Sequence, residues 1–546
     1  MKKLLTTVNI TSSNEPTARH AAEELLKYLQ KKGVVADENG FPVSIAVDAT
    51  LEQDGYKIEA CFGENEGMTI RGDNNGVLYG VYNFLEAYAG IRFFTPTLEI
   101  CPAGDIVIPQ GLVLAYSPVM KGRRLTWNSV QKSADWCVKN GVNNCDAQLT
   151  EELGGQRFNY GKLFVHTINN LAETTYPYPA YGTNPCVTDP EVLERVIRNV
   201  RAALKENPAI NIVSVSQNDF EGHCQCPNCR KIEEEEGSPA GPLLRFVNAI
   251  AEDIEKDYPH VIVDTLAYKY TQKTPKITKP RHNVCIRLCS ISCCFTHPLD
   301  DENCPKSKKL RDDLVGWGKI CDNLHIWDYT TNFHYYISTF ANLGVIQKNM
   351  KFFAENHVVS MFPQGNSQGA SGEFGELRAY LLAKLMWNPY MSEEEYSTHM
   401  DEFLEAYYGK GWTYIRKFID KTTELAANGG FRINKADESL GAAVCGQGIY
   451  DHPLTVITRE EYLENEALFD ECWSRAALLA GDRQEFVARS MMQWRLTKLY
   501  LRPNAEEAQK LIDDAKAAGV VWKEGQYNVL PESDLSKSPC FWKYGK

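Results

Sequence analysis

Residues 210–219 read Ile210-Asn211-Ile212-Val213-Ser214-Val215-Ser216-Gln217-Asn218-Asp219. The first seven are apolar and β-branched enough for a strand buried on both faces. The run then turns abruptly polar and ends on a carboxylate. A buried strand that delivers polar groups at its C-terminal end fits a (β/α)8 barrel, where the βα loops build the site.

Seven further segments repeat the pattern. Strands are expected at 123–127, 143–149, 162–166, 261–268, 284–288, 324–329 and 360–363, with helices at 129–139, 190–205, 243–256, 308–320, 344–355 and 374–387. The third and sixth units are the weakest, because Gly and Pro crowd 167–185 and Cys crowds 289–304. An open doubly wound sheet is the alternative. Before this region, residues 4–10, 56–61 and 68–71 read as strands. Helices follow Pro16 and Gly76, ended by Gly33 and Gly90. After Pro389 the strand pattern stops, and helices are expected at 393–408, 412–427, 459–480, 483–501 and 505–518. Thr458 and Glu461 form a capping box for the third of these, and an irregular tail runs from Gly525. The expected fold class is α/β: a small α/β N-terminal domain (1–115), a central (β/α)8 TIM-like barrel (116–410) and a helical C-terminal region (411–546).

The 546 residues carry 58 basic and 71 acidic side chains, a formal net charge of −13. That balance argues against nucleic acid or an anionic membrane as partner. No apolar run is long enough to span a bilayer. Met1-Lys2-Lys3-Leu4-Leu5 opens like a leader, but the threonines and asparagines after it leave no apolar core. The expected location is the cytoplasm, or outside the cell if a leader has been removed. Seventeen cysteines, an odd number in a long chain, fit reduced thiols better than a secreted disulfide framework. An oligomer is compatible with all of this. P-loop, G-x-G-x-x-G, H-E-x-x-H and G-x-S-x-G patterns are absent, so nucleotide chemistry, zinc proteolysis and serine hydrolysis have no support.

The expected strand ends supply a polar and aromatic set: Arg124, Trp127, Asn128, Gln148, His166, Asn218, Asp219, Tyr268, Trp327, Asp328, Tyr329, Gln364 and Asn366, with Glu373 and Glu376 soon after. Flat aromatic faces beside carboxylates suit a sugar, whose C–H face stacks while its hydroxyls bond to the carboxylates. Glycoside hydrolysis needs two carboxyls, one protonated and one ionised. Asp219 is the expected general acid. Asp328, between Trp327 and Tyr329, and Glu373 and Glu376, at the entry to an apolar helix, are the expected base or nucleophile. Trp127, Trp327 and Tyr329 would stack on the sugar, while Arg124, His166 and Asn218 would hold its polar substituents. Each also has a structural reading, as a turn cap, a strand-end ion pair or a helix-dipole partner.

His223-Cys224-Gln225-Cys226-Pro227-Asn228-Cys229 is the densest local signal. Cys224, Cys226 and Cys229 are candidate ligands of a structural zinc, with a fourth from His223, Cys289, Cys293, Cys294 or Cys304. A disulfide and free thiols in a packed loop stay open. No cofactor for catalysis is expected.

Two sets of motifs carry a resemblance. Gly76-Val77-Leu78-Tyr79-Gly80-Val81-Tyr82, Phe84-Leu85-Glu86 and Gly90-Ile91-Arg92-Phe93-Phe94-Thr95-Pro96 resemble the N-terminal domain shared by family 20 β-hexosaminidases and family 67 α-glucuronidases. Ser216-Gln217-Asn218-Asp219 with the three cysteines resembles the domain of unknown function DUF4838. So do Trp327-Asp328-Tyr329, the stretch from Glu373 to Arg378, and Leu385-Met386-Trp387-Asn388-Pro389. The resemblance covers roughly residues 1–410 and implies a glycoside-hydrolase-like barrel acting on glycans in a bacterial, carbohydrate-degrading setting. Family 20 enzymes carry Asp-Glu at the fourth strand where this chain has Asn218-Asp219, which argues against substrate-assisted chemistry. The expected function is hydrolysis of a glycosidic bond in an oligosaccharide. A non-catalytic glycan-binding protein on the same fold and a metal-dependent hydrolase are the alternatives.

Overall fold

The computed structural model describes residues 2–174, 184–429 and 446–525. The expected tail beyond Gly525 lies outside the described residues. The chain is mixed α/β, with a parallel half-barrel sheet at its centre and helices toward its C-terminus.

The N-terminal part is a six-stranded mixed sheet in the order Leu112–Tyr116, Tyr56–Cys61, Gly67–Gly72, Phe41–Val47, Thr7–Ser12, Val35–Ala36. Two helices, Pro16–Lys31 and Gly76–Ala89, bury their apolar stripes on it. Glycine is required at position 76, because a Cβ there would lie 1.9 Å from the Gly55 carbonyl oxygen. Gly90 closes the second helix in the left-handed region at φ 67°, where a side chain would be strained. The single first strand expected over 4–10 is two, Lys2–Leu4 and Thr7–Ser12.

The central sheet has six parallel strands in the order Gly122–Arg123, Val358–Gln364, Leu324–Tyr329, Val284–Cys289, Ile262–Ala267, Ile212–Ser214. This is barrel order with the second and third strands missing, a correction to the eight expected. Their place between Gly122–Arg123 and Ile212–Ser214 is taken by irregular chain. Arg124 makes one parallel bridge to Asn144. Asn144 Nδ2 donates to the Phe158 carbonyl at 2.8 Å, and the Asn159 amide donates to Asn211 Oδ1 at 2.8 Å. The Ser214 amide donates to the Leu163 carbonyl at 2.9 Å. Asparagine side chains thus do part of the pairing that a ladder would do with backbone alone.

The expected helices around the sheet are present, with shifts of a few residues. The helix expected over 129–139 shortens to Ala134–Lys139, and an unexpected one, Pro227–Glu236, follows the cysteine cluster. The C-terminal helices begin with Glu393–Tyr408 and Trp412–Gly429. The helix expected over 459–480 breaks at Asn465, and that over 483–501 at Met491. The Thr458 capping box forms, Oγ1 accepting from the Glu461 amide at 3.3 Å and the Glu461 carboxylate from the Thr458 amide at 2.9 Å.

This helical region is fastened to the barrel. The Phe333 amide donates to the Ile449 carbonyl at 2.8 Å, the Tyr336 amide to Trp522 at 2.9 Å and the Glu524 amide to Phe333 at 2.8 Å. Segments distant in sequence therefore reach the loops beyond the strand Leu324–Tyr329. Among the described residues no helix is long and apolar enough to cross a membrane.

Candidate active site at the barrel mouth

Side chains alternate along a strand, and this sorts the candidates on Leu324–Tyr329. His325, Trp327 and Tyr329 face the barrel interior. The Trp327 ring lies 4.9 Å from Phe362, 5.7 Å from Phe164 and 6.4 Å, stacked, from Tyr329, and its Nε1 donates to Gln364 Oε1 at 2.8 Å. Beneath it the Arg287 guanidinium packs 4.7 Å from the centre of Phe164 and pairs with buried Asp264. The Arg124 guanidinium also lies 4.5 Å from the centre of Phe164 and pairs with Asp146 at 3.4 Å, while its Nε is buried without a partner among the described residues. The barrel is therefore filled by cations between aromatic faces, with Trp327 and Tyr329 as its upper aromatic layer.

Asp219 stands past the end of Ile212–Ser214, with its side chain 58% exposed. The Tyr268 hydroxyl donates to its Oδ1 at 2.9 Å, and Lys269 Nζ lies 2.9 Å from the same oxygen. Partial burial raises the carboxyl's pKa, but Lys269, Tyr268 and the nearby His166 outweigh it, so the net shift is downward. Asp219 is ionised at neutral pH, which is the wrong state for the general acid expected of it. Lys269 holds this position at φ 52°, a left-handed backbone that costs a non-glycine residue some strain. His166, also left-handed at φ 53°, has its Nδ1 2.8 Å from the Gln217 carbonyl oxygen. Asn218 is buried, its Nδ2 without a partner among the described residues.

Two groups the sequence reading missed lie near Asp219. Tyr450 and Glu524, from the C-terminal region, both feel the Asp219 charge. Glu524 is exposed, and partial desolvation, then that charge, push its carboxyl upward from its ordinary value. No local pattern marks Glu524, since it arrives through the backbone bond to Phe333. Lys269 was legible as the residue after Tyr268 at a strand end.

The other expected carboxyls lie elsewhere. Asp328 is on the outer face of its strand, where the Ser290 hydroxyl donates to it. Burial lifts its pKa to about 6, against the opposing bonds from Ser290 and the Tyr329 amide. Glu373 is fully buried and paired with Arg378 at 2.5 Å, its other oxygen accepting from the Phe374 amide at 2.6 Å. Glu376 pairs with Arg489 at 2.6 Å, joining its helix to the C-terminal helices. Trp127 is also buried, packed against Gly365, Gly375 and Arg378, so it offers no stacking face. Asn366 and Asn128 shape the turn after the last strand, with the Asn128 amide donating to the Asn366 carbonyl at 2.8 Å. Gln148 is exposed.

The cysteine loop follows Asp219. Cys224, Cys226 and Cys229 gather with Cys186, all four Sγ atoms lying within 4.8 Å of one another. None of the expected fourth ligands is among them. The His223 ring stacks on Tyr270 at 4.4 Å and its Nε2 lies 3.2 Å from Glu233. Cys294, His297 and Cys304 form a separate buried group, also within 4.8 Å. The amide of Cys229 and the Thr188 hydroxyl pull the Cys226 thiol down to about 6. No disulfide joins the described cysteines.

Residues 93–420, more than half of the chain, match the family model described as "Domain of unknown function (DUF4838)". Among curated proteins, none matches the chain in sequence. Of solved structures, a family GH115 4-O-methyl-alpha-glucuronidase with specificity for decorated arabinogalactans superposes with a TM-score of 0.55. The identity is 12%, covering 95% of this chain and 76% of that one. A GH138 enzyme targeting pectin rhamnogalacturonan II gives a TM-score of 0.44 at 11% identity, covering 94% and 91%. A family 89 glycoside hydrolase from Clostridium perfringens gives 0.45 at 11% identity, covering 91% and 65%. At these identities the GH115 likeness speaks for a shared fold.

Proposed function

We propose that this chain, which belongs to the DUF4838 family, is a glycoside hydrolase that cleaves an oligosaccharide at the barrel mouth. One arrangement carries the reading: Asp219, held by Lys269 Nζ and the Tyr268 hydroxyl at 2.9 Å each, has a second carboxyl, Glu524, near enough to feel its charge. Lys269 and Tyr268 hold Asp219 below its ordinary value, while partial desolvation and the Asp219 charge push Glu524 upward. Two-carboxylate hydrolysis needs that division. Glu524 gives its proton to the leaving glycosidic oxygen as the C–O bond breaks. Asp219 acts as the ionised partner, supporting positive charge at the anomeric carbon and either activating water or attacking directly. Trp327 and Tyr329 offer the stacking face, and His166 and Asn218 bond to hydroxyls. No catalytic metal or cofactor is part of the proposal.

The reading extends to the sugar. Arg124, whose guanidinium pairs with Asp146 at 3.4 Å and leaves Nε unpartnered, suits a sugar carrying a carboxylate. The activity of the GH115 4-O-methyl-alpha-glucuronidase, which shares the fold, points the same way. The N-terminal segment 1–115 is assigned as the family 20/67-like domain beside the barrel of 116–410, with 411–546 as the helical region that supplies Glu524.

A panel of aryl uronides, aryl hexosaminides, neutral aryl glycosides and native acidic oligosaccharides tests this. Hydrolysis is expected on the uronides, and falls by about 10²–10⁴-fold in Asp219→Asn. A second reading, a glycan-binding protein without turnover, rests on the Lys269 ammonium already occupying Asp219 Oδ1. Binding of an oligosaccharide that the protein never cleaves would establish it instead.

A further inference from the structure

Cys186 lies ahead of the helix Pro190–Glu206, while Cys224, Cys226 and Cys229 follow Asp219. Cys186 Sγ is 3.7 Å from Cys226 Sγ and 3.8 Å from Cys229 Sγ. A disulfide requires about 2.05 Å between sulfurs. Four sulfurs set about 2.3 Å from a central zinc lie on a tetrahedron whose edges are about 3.8 Å. The observed separations match the tetrahedron edge.

We propose that Cys186, Cys224, Cys226 and Cys229 are the four ligands of a structural zinc ion that staples the loop carrying Asp219 to the chain entering the helix Pro190–Glu206.

The chemistry of the set supports a thiophilic metal. Four thiolates select zinc over magnesium, calcium or manganese, and four protein ligands leave no position for water, as in structural sites. Cys226 is the N-cap of Pro227–Glu236, and its sulfur accepts from the Cys229 amide at 3.4 Å. The helix N-terminus favours the negative charge of a thiolate. Thr188 Oγ1 stands 3.3 Å from Cys186, 3.6 Å from Cys226 and 3.3 Å from Cys229, an outer hydrogen bond of the kind that orients metal ligands. On binding, each S–H proton still present passes to solvent and each sulfur donates a lone pair to the ion, so affinity rises with pH.

The staple bears on the site through Asn184. Its Oδ1 accepts from the Asn218 amide at 2.8 Å and its Nδ2 donates to the Gly222 carbonyl at 2.9 Å. Only Pro185 separates Asn184 from Cys186, so the ion would fix the backbone that presents Asn218 and Asp219. The inference stands apart from the glycosidase reading, because its readout is metal content and not turnover.

The test uses full-length protein purified in reducing buffer without chelator. Elemental analysis should find zinc, with Cys186→Ser and Cys226→Ser each lowering it by one equivalent and His223→Ala leaving it unchanged. The difference is the readout because Cys294, His297 and Cys304 form a second group of candidate ligands. A second measurement needs no variant. Cys186, Cys224 and Cys226 are only partly buried, yet in native protein they should resist alkylation until a chelator is added, while exposed Cys61 reacts throughout. Absence of zinc, iron in its place, prompt alkylation of those three thiols without chelator, or a disulfide among the four would each overturn the proposal.

Discussion

The Tyr268 hydroxyl donates to Asp219 Oδ1 at 2.9 Å, across the loops of two neighbouring barrel strands. A carboxylate accepts such a bond more strongly than a neutral carboxyl does, so the bond favours the ionised state. Because the folded pKa lies below the ordinary carboxylate value, Asp219 stays ionised down to acid pH. The acid limb of kcat/KM should therefore fall below the pH of a free carboxylate. Tyr268→Phe removes one of the groups holding it down and should move that limb upward. Asp219→Asn should lower turnover by about 10²–10⁴-fold with the melting temperature nearly unchanged, since Asn serves a turn as well as Asp does. A pH–rate profile on a confirmed substrate checks all three.

Glu373 is predicted to matter for stability and not for chemistry. It is the buried partner of Arg378, and Glu373→Gln would leave that guanidinium uncompensated at a cost of about 3–5 kcal/mol. Denaturant titration should show the loss, while turnover per folded molecule stays near wild type. Turnover falling with unchanged stability would return Glu373 to the catalytic machinery.

Asp328 should give the opposite sign. Its pKa is about 6 when folded, above roughly 3.9 in the unfolded chain. Between those values the folded state binds more protons, so Asp328 makes the protein less stable as pH rises through that window. Asp328→Asn should therefore be at least as stable as wild type at pH 8 and should flatten this part of the stability–pH curve. It should also keep its turnover, because the carboxyl faces away from Trp327. Melting curves from pH 4 to 8 with an activity check decide the point.

What could be read from the sequence follows from how local each cause is. The strand Leu324–Tyr329 and the helix Glu393–Tyr408 appear with the expected bounds, because hydrophobic period and a capping residue act within a few positions. The segment over 162–166 has a strand's apolar pattern, but 143–149 is mostly polar, and there Asn143 and Asn144 spend their side chains on backbone groups and replace a ladder with single bonds. At the site, Asp219, Trp327 and Tyr329 were legible as strand-end residues. Asp328 was misread because adjacent residues on a strand face opposite ways, which a motif of three letters hides. Cys186 was missed because it lies 40 residues from Cys226 and is brought to it by the fold. Glu524 was missed for the same reason.

Glu524 offers the sharpest test of the mechanism. A general acid matters in proportion to how badly the leaving group needs a proton. Alkoxides of natural sugars need one, whereas nitrophenolates leave nearly unaided. Glu524→Gln should therefore lower kcat on a native oligosaccharide by about 10²–10⁴-fold and leave hydrolysis of an activated aryl glycoside within a few-fold. The same variant should lose the basic limb of the pH profile, since that limb marks deprotonation of the acid whose pKa partial desolvation and the Asp219 charge raise. Asp219→Asn behaves differently, because losing the ionised partner slows both substrates. Equal losses on the two substrates in Glu524→Gln would mean that the residue only shapes the pocket, and the proton would have to come from another group at the mouth.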